Sequence, residues 1–140
     1  MKNISISHED YGKFINKLIL NELKLISVNA SVVDQFVPPA NLKINDESKC
    51  ENLENKQIKI TMHYRLEAVK PDTDKPGLVV DLTYILLYSS EIPMSDDIFK
   101  IYKQSSLRVQ TWPYFRQFVH QITLDMHLPP LVLDTIKSPV

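Results

Sequence analysis

The stretch Trp112-Pro113-Tyr114-Phe115-Arg116, with the residues that follow it up to Leu128-Pro129-Pro130-Leu131-Val132, decides the fold of this chain. Proline is tolerated at the first position of a helix, where its missing N–H would have no partner, so Trp112-Pro113 predicts a helix start. An apolar stripe with the period of a helix face follows: Phe115, Phe118, Val119, Ile122 and Met126. Pro129-Pro130 predicts the helix end, because proline cannot donate the next hydrogen bond. The pattern indicates a buried helix without catalytic residues.

Composition and charge limit the classes of function. The chain has 140 residues, 44% of them apolar and 24% charged, which is typical of one globular domain. Its net charge of −1 gives no electrostatic support for binding nucleic acid. No apolar run reaches the roughly 20 residues of a membrane span, and Met1–Tyr11 lacks the apolar core of a signal peptide. With Cys50 as its single cysteine, the sequence predicts a cytoplasmic protein that does not insert into membranes.

A long amphipathic hairpin is the clearest strand pattern. Apolar and polar residues alternate from Gln57 to Val69 and again from Leu78 to Tyr88, with a turn rich in Asp, Pro and Lys between them. Both strands exceed the typical length of about five to six residues. On the second strand, apolar side chains also fall on the face expected to be wet: Val79, Ile85 and Leu87. This patch predicts either a contact surface or local cover by another part of the chain.

The remaining segments complete an α+β order. We expect a helix at His8–Leu20 with Ser7 as its N-cap, a strand at Leu23–Val33 with a bulge near Leu25, and a short strand at Leu42–Ile44. The polar stretch Asp46–Lys56 predicts an exposed loop. A short helix at Asp96–Ser106, capped by Ser95, precedes the helix at Trp112. A helix, several strands and then helices favour an α+β fold in a single domain, residues 1–140.

No constellation in the sequence indicates catalysis. The four histidines and Cys50 show no metal-ligand spacing, and there is no Gly-rich loop, G-x-S-x-G or H-E-x-x-H motif. We therefore predict no catalytic residue, no metal and no cofactor, and expect the chain not to be an enzyme. A hydrolase with an unrecognised site, dependent on His63 or His120, is the opposing hypothesis.

The segment Leu107–Ile136 resembles the protein-export chaperone SecB and its relatives. Trp112-Pro113-Tyr114-Phe115-Arg116 is similar to the family's aromatic-Pro-Tyr-x-Arg segment, and Leu128-Pro129-Pro130-Leu131-Val132-Leu133 is similar to its Pro-x-Leu-x-Leu segment. The order of the four predicted strands also agrees, so the resemblance covers roughly Leu20 to Lys137.

The resemblance implies a fold and a function. The fold is SecB-like: a four-stranded antiparallel sheet with helices, whose subunits pair through sheet edges into dimers and through helices into a homotetramer, a dimer of dimers. The function is an ATP-independent chaperone that binds unfolded or precursor polypeptides and hands them to the translocase motor SecA for export. For the client-binding groove we predict six residues: Leu42, Ile44, Ile85, Leu87, Tyr88 and Trp112. For the oligomer interface we predict five: Tyr114, Arg116, Phe118, His120 and Ile122.

The chain also departs from the best-known members of that family. It has an extra N-terminal helix at about 8–20, and it does not show the C-terminal helix and polar tail that those members use in contacting SecA. Some SecB relatives instead serve toxin–antitoxin systems by shielding an aggregation-prone antitoxin. A chaperone of a toxin–antitoxin system is therefore one alternative, and a non-catalytic oligomeric adaptor for one folded partner is another.

Overall fold

The structure, a computed structural model, describes residues 6–33, 36, 40–71, 73, 75–129 and 131–134. Its elements follow the predicted order of a helix, four strands and two helices. They are α1 His8–Lys17, β1 Ile19–Val32, β2 Asn41–Leu53, β3 Gln57–Val69, β4 Pro76–Ser89, α2 Asp96–Gln104 and α3 Ser106–Asp125.

The strands form one antiparallel sheet in the order β1-β4-β3-β2. This confirms the predicted α+β class with a four-stranded antiparallel sheet and packed helices. β1 and β2 follow each other in the chain but lie at opposite edges, so the chain passes from one edge to the other between Val32 and Asn41. β3 and β4 are the central pair and lie in register from Gln57↔Ser89 to Ala68↔Leu78.

The core lies between the inner face of this sheet and the helices. The alternation predicted for the hairpin is confirmed, because the even-numbered residues of β3 and β4 are buried from Ile58 to Ala68 and from Leu78 to Tyr88. α3 contributes buried residues at every fourth position: Leu107, Thr111, Phe115, Val119 and Thr123. The outer face carries half-exposed polar side chains, among which Asp81 accepts from Arg65 Nη1 at 2.8 Å and contacts His63 Nε2 at 3.0 Å.

Two boundaries predicted from the sequence are wrong by more than a few residues. The predicted loop Asp46–Lys56 is instead the continuation of β2 to Leu53, paired with β3 along its whole length. The long helix begins at Ser106 rather than at Trp112-Pro113, so Pro113 lies inside α3. There it cannot donate to the carbonyl of Val109, and both residues lie on the exposed side of the helix.

The start of the chain differs by a few residues. α1 ends at Lys17 rather than at the predicted Leu20, and β1 begins at Ile19 rather than at the predicted Leu23. Both predicted N-caps are confirmed: Ser7 Oγ accepts from Asp10 N at 3.1 Å, and Ser95 Oγ accepts from Ile98 N at 3.2 Å. The predicted bulge near Leu25 is confirmed by a register shift between Leu25 and Ser27, and a second shift lies between Leu20 and Glu22.

Candidate functional site

An apolar cavity of about 250 Å³ lies at the end of the sheet where β2 begins, β3 ends and β4 begins. The end of α3 and the segment after it close the cavity from the helix side. Its lining is Phe36, Ala40, Leu42, Ala68, Leu78, Thr123, Leu128, Pro129 and Leu131. Eight of these nine residues are apolar, so the cavity is suited to an aliphatic or aromatic side chain.

Phe36 forms one wall and depends on a glycine. Val33 N donates to the carbonyl of Gly77 at 2.9 Å, and Phe36 N donates to the carbonyl of Val33 at 3.1 Å, which places the Phe36 ring over Gly77. A Cβ at position 77 would overlap that ring. Phe36 is 8% exposed although it lies outside the regular elements. The missing side chain of Gly77 therefore determines where this wall of the cavity lies.

The opposite wall is set by the way in which α3 ends. His127 has a left-handed backbone with φ of 60°, His127 N donates to the carbonyl of Leu124 at 3.0 Å, and Leu128 N donates to that of Thr123 at 2.9 Å. These two bonds form a Schellman motif, which ends a helix by satisfying its last carbonyls. The helix thus ends before Pro129-Pro130, and the motif directs Leu128 into the cavity.

The segment after the turn runs back along α3 and is tied to it by hydrogen bonds. Leu131 N donates to Thr123 Oγ1 at 3.0 Å, Arg116 Nε donates to the carbonyl of Leu133 at 2.6 Å, and Trp112 Nε1 donates to that of Asp134 at 2.7 Å. Thr123 Oγ1 also donates to a helix carbonyl, so the polar atom in the cavity lining is satisfied. The cavity consequently offers apolar contact without a competing polar group.

Strand β2 lies at the edge of the sheet beside the cavity. In the part of the chain that the structure describes, β2 pairs with β3 alone, which leaves the backbone groups of its other edge without a strand partner. Leu42 on this strand lines the cavity and is 41% exposed, and Ile44 lies next along the same face, half-buried against the core. An apolar cavity and an unpaired strand edge therefore share one end of the molecule.

The six residues predicted for the groove do not lie on one surface. Leu42 lines the cavity, and Ile44 lies beside it on the inner face. Ile85 and Leu87 lie on the outer face of β4.

The two aromatic members of that set occupy other places. Tyr88 is 1% exposed, and its hydroxyl lies in a network with Tyr102 and Gln110, each at 3.0 Å. Trp112 is half-buried against Tyr64 and Phe115, at ring-centroid distances of 5.9 and 5.5 Å.

The five residues predicted for the interface lie on two stripes of α3. Tyr114, Phe118 and Ile122 follow a spacing of four on one stripe, where Tyr114 is 53% exposed and the other two are half-buried. Arg116 and His120 lie on a second stripe, where they line a shallow surface pocket with Val132. Only the first stripe is predominantly apolar.

Several residues of the cavity were not predicted as site residues from the sequence, notably Phe36, Leu128 and Leu131. A signal existed for Phe36, because an isolated aromatic residue just before Pro38-Pro39 is unusual in an exposed connection. For Leu128 and Leu131 the signal was their place on either side of the two prolines. The convergence of these segments on β2 and β3 depends on tertiary packing, which the sequence pattern does not contain.

Ionisable groups near the core are held in their neutral forms. Burial, with smaller contributions from Asp96 and Glu51, raises the pKa of the Cys50 thiol to about 11, and its Sγ lies 3.6 Å from Met94 Sδ. Burial also raises the pKa of Tyr64 to about 12. At neutral pH Cys50 is therefore a poor nucleophile.

The described residues also bear on metals and membranes. No three His, Cys, Asp or Glu side chains among them gather in a way that could hold a metal ion. No helix in the described ranges is both long and apolar enough to span a membrane.

Comparisons with known proteins give a structural match without a sequence match. No protein-family profile matches the chain, and no curated protein matches it. A solved structure from Streptococcus agalactiae, of a protein of unknown function, aligns with a TM-score of 0.43 at 11% identity over 84% of this chain and 96% of that one. A SecB-like chaperone of Mycobacterium tuberculosis, in complex with a ChAD peptide from the HigA1 antitoxin, aligns with a TM-score of 0.76 at 16% identity over 92% of this chain and 94% of that one. The chain therefore has the fold of a SecB-like chaperone.

Proposed function

We propose that this protein is a chaperone that binds unfolded segments of other polypeptides without ATP. The observation that carries the proposal is the apolar cavity beside the unpaired edge of β2, in a chain with a SecB-like fold. The client would place an apolar side chain in the cavity and run its backbone along β2, with Leu42 and Ile44 as the first contacts. Of the other residues predicted for the groove, Trp112 is closest to this arrangement, because the segment 131–134 connects it to the cavity.

The physical basis of such binding is burial combined with backbone pairing. Burying one large apolar side chain contributes about 1.5–3 kcal/mol, at about 25 cal/mol per Å² of apolar surface. Backbone pairing along a strand edge adds affinity and does not depend on the client's side chains. A cavity that accepts one apolar anchor therefore allows many clients. Binding to the unfolded state also keeps the client from folding, by mass action.

The finer parts of the proposal concern partners and assembly. We propose unfolded or precursor polypeptides as clients, a cytoplasmic location, and a homotetramer built as a dimer of dimers. In the export version of this function, the chaperone hands its client to SecA. The support for the export version is the sequence resemblance to the SecB family together with the shared fold.

A second candidate is the chaperone of a toxin–antitoxin system. The observation that favours it is that the Mycobacterium tuberculosis protein with this fold is in complex with a peptide from an antitoxin. The client would then be one cognate antitoxin segment rather than many precursors. A toxin–antitoxin gene pair beside the gene for this chain would favour this version. Peptide arrays made from precursor proteins and from the neighbouring antitoxin would separate the two by binding.

The decisive experiment for either version is suppression of aggregation. A chemically denatured client is diluted into buffer with an excess of the purified protein, without nucleotide, and light scattering is followed. We expect scattering to fall as the chaperone is added, to near zero at stoichiometric excess. Unchanged aggregation under those conditions would contradict the proposal. Binding to the folded form of one partner, without binding to unfolded chains, would instead favour the oligomeric adaptor.

The site is tested with a matched pair of substitutions on β2. Leu42 and Leu53 lie on the same edge strand with similar exposures of 41% and 39%, but Leu53 is at the far end from the cavity. We expect Leu42→Asp to weaken client binding about tenfold or more, since it places a charge at the cavity mouth. Leu53→Asp should bind as the unmodified protein does. Equal effects of both substitutions would exclude the cavity as the binding site.

A further inference from the structure

The structure points to a second apolar binding surface, covered in the free protein by helix α1. We infer that α1 is a displaceable cover, and that an aromatic-bearing stretch of an unfolded client takes the place of its side chains when it leaves. This inference rests on the proposed chaperone function and assigns a further contact surface for the same clients.

The contacts of α1 with the rest of the molecule are apolar. Phe14 is 1% exposed and belongs to the core, and half-buried residues of and around the helix pack against the same core: Ile6, Tyr11, Ile15 and Leu18. Within the described residues, no hydrogen bond or ion pair joins His8–Lys17 to another element, because the Ser7 cap, the Leu18 N–H to Ile15 bond and the Glu9–Lys13 pair are all local. Apart from a longer-range attraction between Lys17 and Glu91, the helix is thus held by the same kind of contact that a client segment makes.

A buried hydroxyl on α1 opposes its docking. Tyr11 Oη is buried without a hydrogen-bond partner, and it is the one such side-chain atom among the described residues. The neighbouring hydroxyls of Tyr88 and Tyr102 are satisfied by each other and by Gln110. A hydroxyl buried without a partner lowers the equilibrium constant for docking about fivefold or more, because in water it would be hydrogen-bonded. Undocking of α1 would return this hydroxyl to water.

A glycine inside α1 also lowers the stability of the helix, although packing does not require a glycine there. Gly12 lies inside the helix, and a Cβ placed on it meets no atom within 4 Å. Glycine in a helix interior disfavours the helix about two- to fivefold relative to alanine. Alanine would fit here, so close packing does not require the glycine. An isolated helix of 10 residues is marginal, so α1 forms stably only while docked.

The side chains of α1 define what the covered surface accepts. The helix fills it with one deeply buried aromatic ring, Phe14, flanked at helical spacing by Tyr11, Ile15 and Leu18. Client segments with an aromatic residue and two or three neighbouring aliphatic residues match this occupant. The surface lies beside Tyr88 near the end of β4, whereas the cavity at Leu42 includes Leu78 at the start of that strand, so the two contact surfaces are separate.

The first test measures opening of α1 by amide hydrogen exchange in the full chain. We expect the α1 amides to exchange faster than those of β3 and β4, with Gly12→Ala slowing α1 exchange about two- to fivefold. Tyr11→Phe should also slow α1 exchange, since the substitution removes the unpaired hydroxyl. Phe14→Ala should accelerate α1 exchange. Protection of α1 equal to that of β3 and β4 would overturn the inference.

The second test measures the affinity for reduced, carboxymethylated lactalbumin, which stays unfolded, by fluorescence anisotropy. Gly12→Ala should weaken binding about two- to fivefold and Tyr11→Phe about fivefold or more, whereas Phe14→Ala should strengthen it by opening the surface. Asn16→Ser, which exchanges residues of similar helix propensity at an exposed position of α1, is the matched control and should leave affinity unchanged.

The outcomes separate this inference from the proposed function. Loss of binding by every form, including the unmodified protein, contradicts the chaperone proposal itself. In another outcome the unmodified protein binds normally, and Gly12→Ala and Tyr11→Phe slow α1 exchange but do not change binding. That outcome overturns the displaceable cover and leaves the chaperone proposal intact. These two substitutions keep the test decisive even if Phe14→Ala fails to fold.

Discussion

Gly77 and Phe36 form a contact that leaves no room for a methyl group. We expect Gly77→Ala to push the Phe36 ring away, since the new Cβ would overlap it, and thereby to reshape the cavity lined by Phe36 and Leu42. Such overpacking costs about 1–3 kcal/mol of stability. Denaturant unfolding measures this cost, and binding of an unfolded client should weaken in parallel.

Gly12→Ala is the matched control for the stability effect of that substitution. The same methyl group is added at a position with nothing within 4 Å, inside a helix. It should therefore stabilise α1 by about 0.5–1 kcal/mol rather than cost energy. A Gly77→Ala protein as stable as the unmodified one would show that Phe36 does not occupy the position over Gly77 in solution.

The Cys50 thiol is expected to react slowly while the protein is folded. Because burial raises its pKa from 9.0 to about 11, the thiolate fraction at pH 8 is about a hundredfold below that of an unperturbed thiol. Alkylation by iodoacetamide at pH 8 should be slow in the folded protein and fast after unfolding in urea, as followed by mass spectrometry. Equal rates in the two states would contradict the half-buried position of Cys50 beside Met94.

The same shift makes stability depend on pH in the alkaline range. The pKa of Cys50 is higher in the folded than in the unfolded protein, so the folded state holds the proton more tightly. The contribution of the thiol to stability is complete below about pH 9 and is lost as the pH rises toward 11. Burial raises the pKa values of Tyr64, Tyr84 and Tyr88 in the same direction. We therefore expect denaturation midpoints to fall above pH 9, and a Cys50→Ala protein to lose less stability there.

At the scale of elements, β2 explains where the sequence misled. Apart from Cys50, its residues from Asp46 to Asn52 are polar on both faces, which predicts a loop when only the hydrophobic pattern is considered. Two of the inward polar side chains have distant partners: Asp46 accepts from Arg108 Nε and Nη2 at 2.9 and 2.6 Å, and Asn52 bonds to Met94. These bonds join residues 42 to 62 positions apart, so a local pattern cannot reveal them.

Asn52 provides a test of this tie between β2 and the segment before α2. Its amide donates to the carbonyl of Met94 and accepts from the N–H of Met94, both at 2.9 Å. Asn52→Ala leaves both backbone groups without a partner, so we expect a loss of about 1–3 kcal/mol in denaturant unfolding. Asn45→Ala, on the exposed outer face of the same strand, is the control and should change stability by less than about 0.5 kcal/mol. Equal losses of stability in the Asn52→Ala and Asn45→Ala proteins would refute the role of Asn52 in joining β2 to Met94.

The long hairpin was predictable because its alternation reports burial directly, and the two N-caps because they are local. The start of α3 was not predictable, because Pro113 favours a helix start by local rules, whereas the helix begins nearly two turns earlier, where Leu107 and Thr111 are buried. The cavity was predictable only in part. Leu42 could be named from its strand. Phe36 lines the cavity because of its contact with Gly77, 41 positions away, and α3 ends where it does because His127 has a left-handed backbone.

At the scale of the whole molecule, some apolar surface remains uncovered. β1 is an edge strand with β4 as its partner in the described residues, and it carries Ile26 and Val28 at 51% and 48% exposure. α3 carries Tyr114 at 53% exposure beside Phe118. Long strand edges with exposed apolar side chains favour association unless something covers them. Self-assembly through a sheet edge and through helices would cover both surfaces, which agrees with the proposed dimer of dimers.

The helix contact in this assembly is tested by Tyr114→Asp. In a dimer of dimers whose dimers pair through α3, a charge at Tyr114 would be buried without a partner, which is strongly unfavourable. We expect the molar mass from light scattering to fall from four chains to two, while the circular dichroism of the subunit is preserved because Tyr114 is not part of the core. Asn45→Asp adds the same charge on the outer face of the sheet and should leave the mass unchanged. A monomer at micromolar concentration for the unmodified protein would contradict the tetramer directly. A tetramer that survives Tyr114→Asp would instead place the helix contact elsewhere, with Arg116 and His120 on the other stripe of α3 as the next positions to substitute.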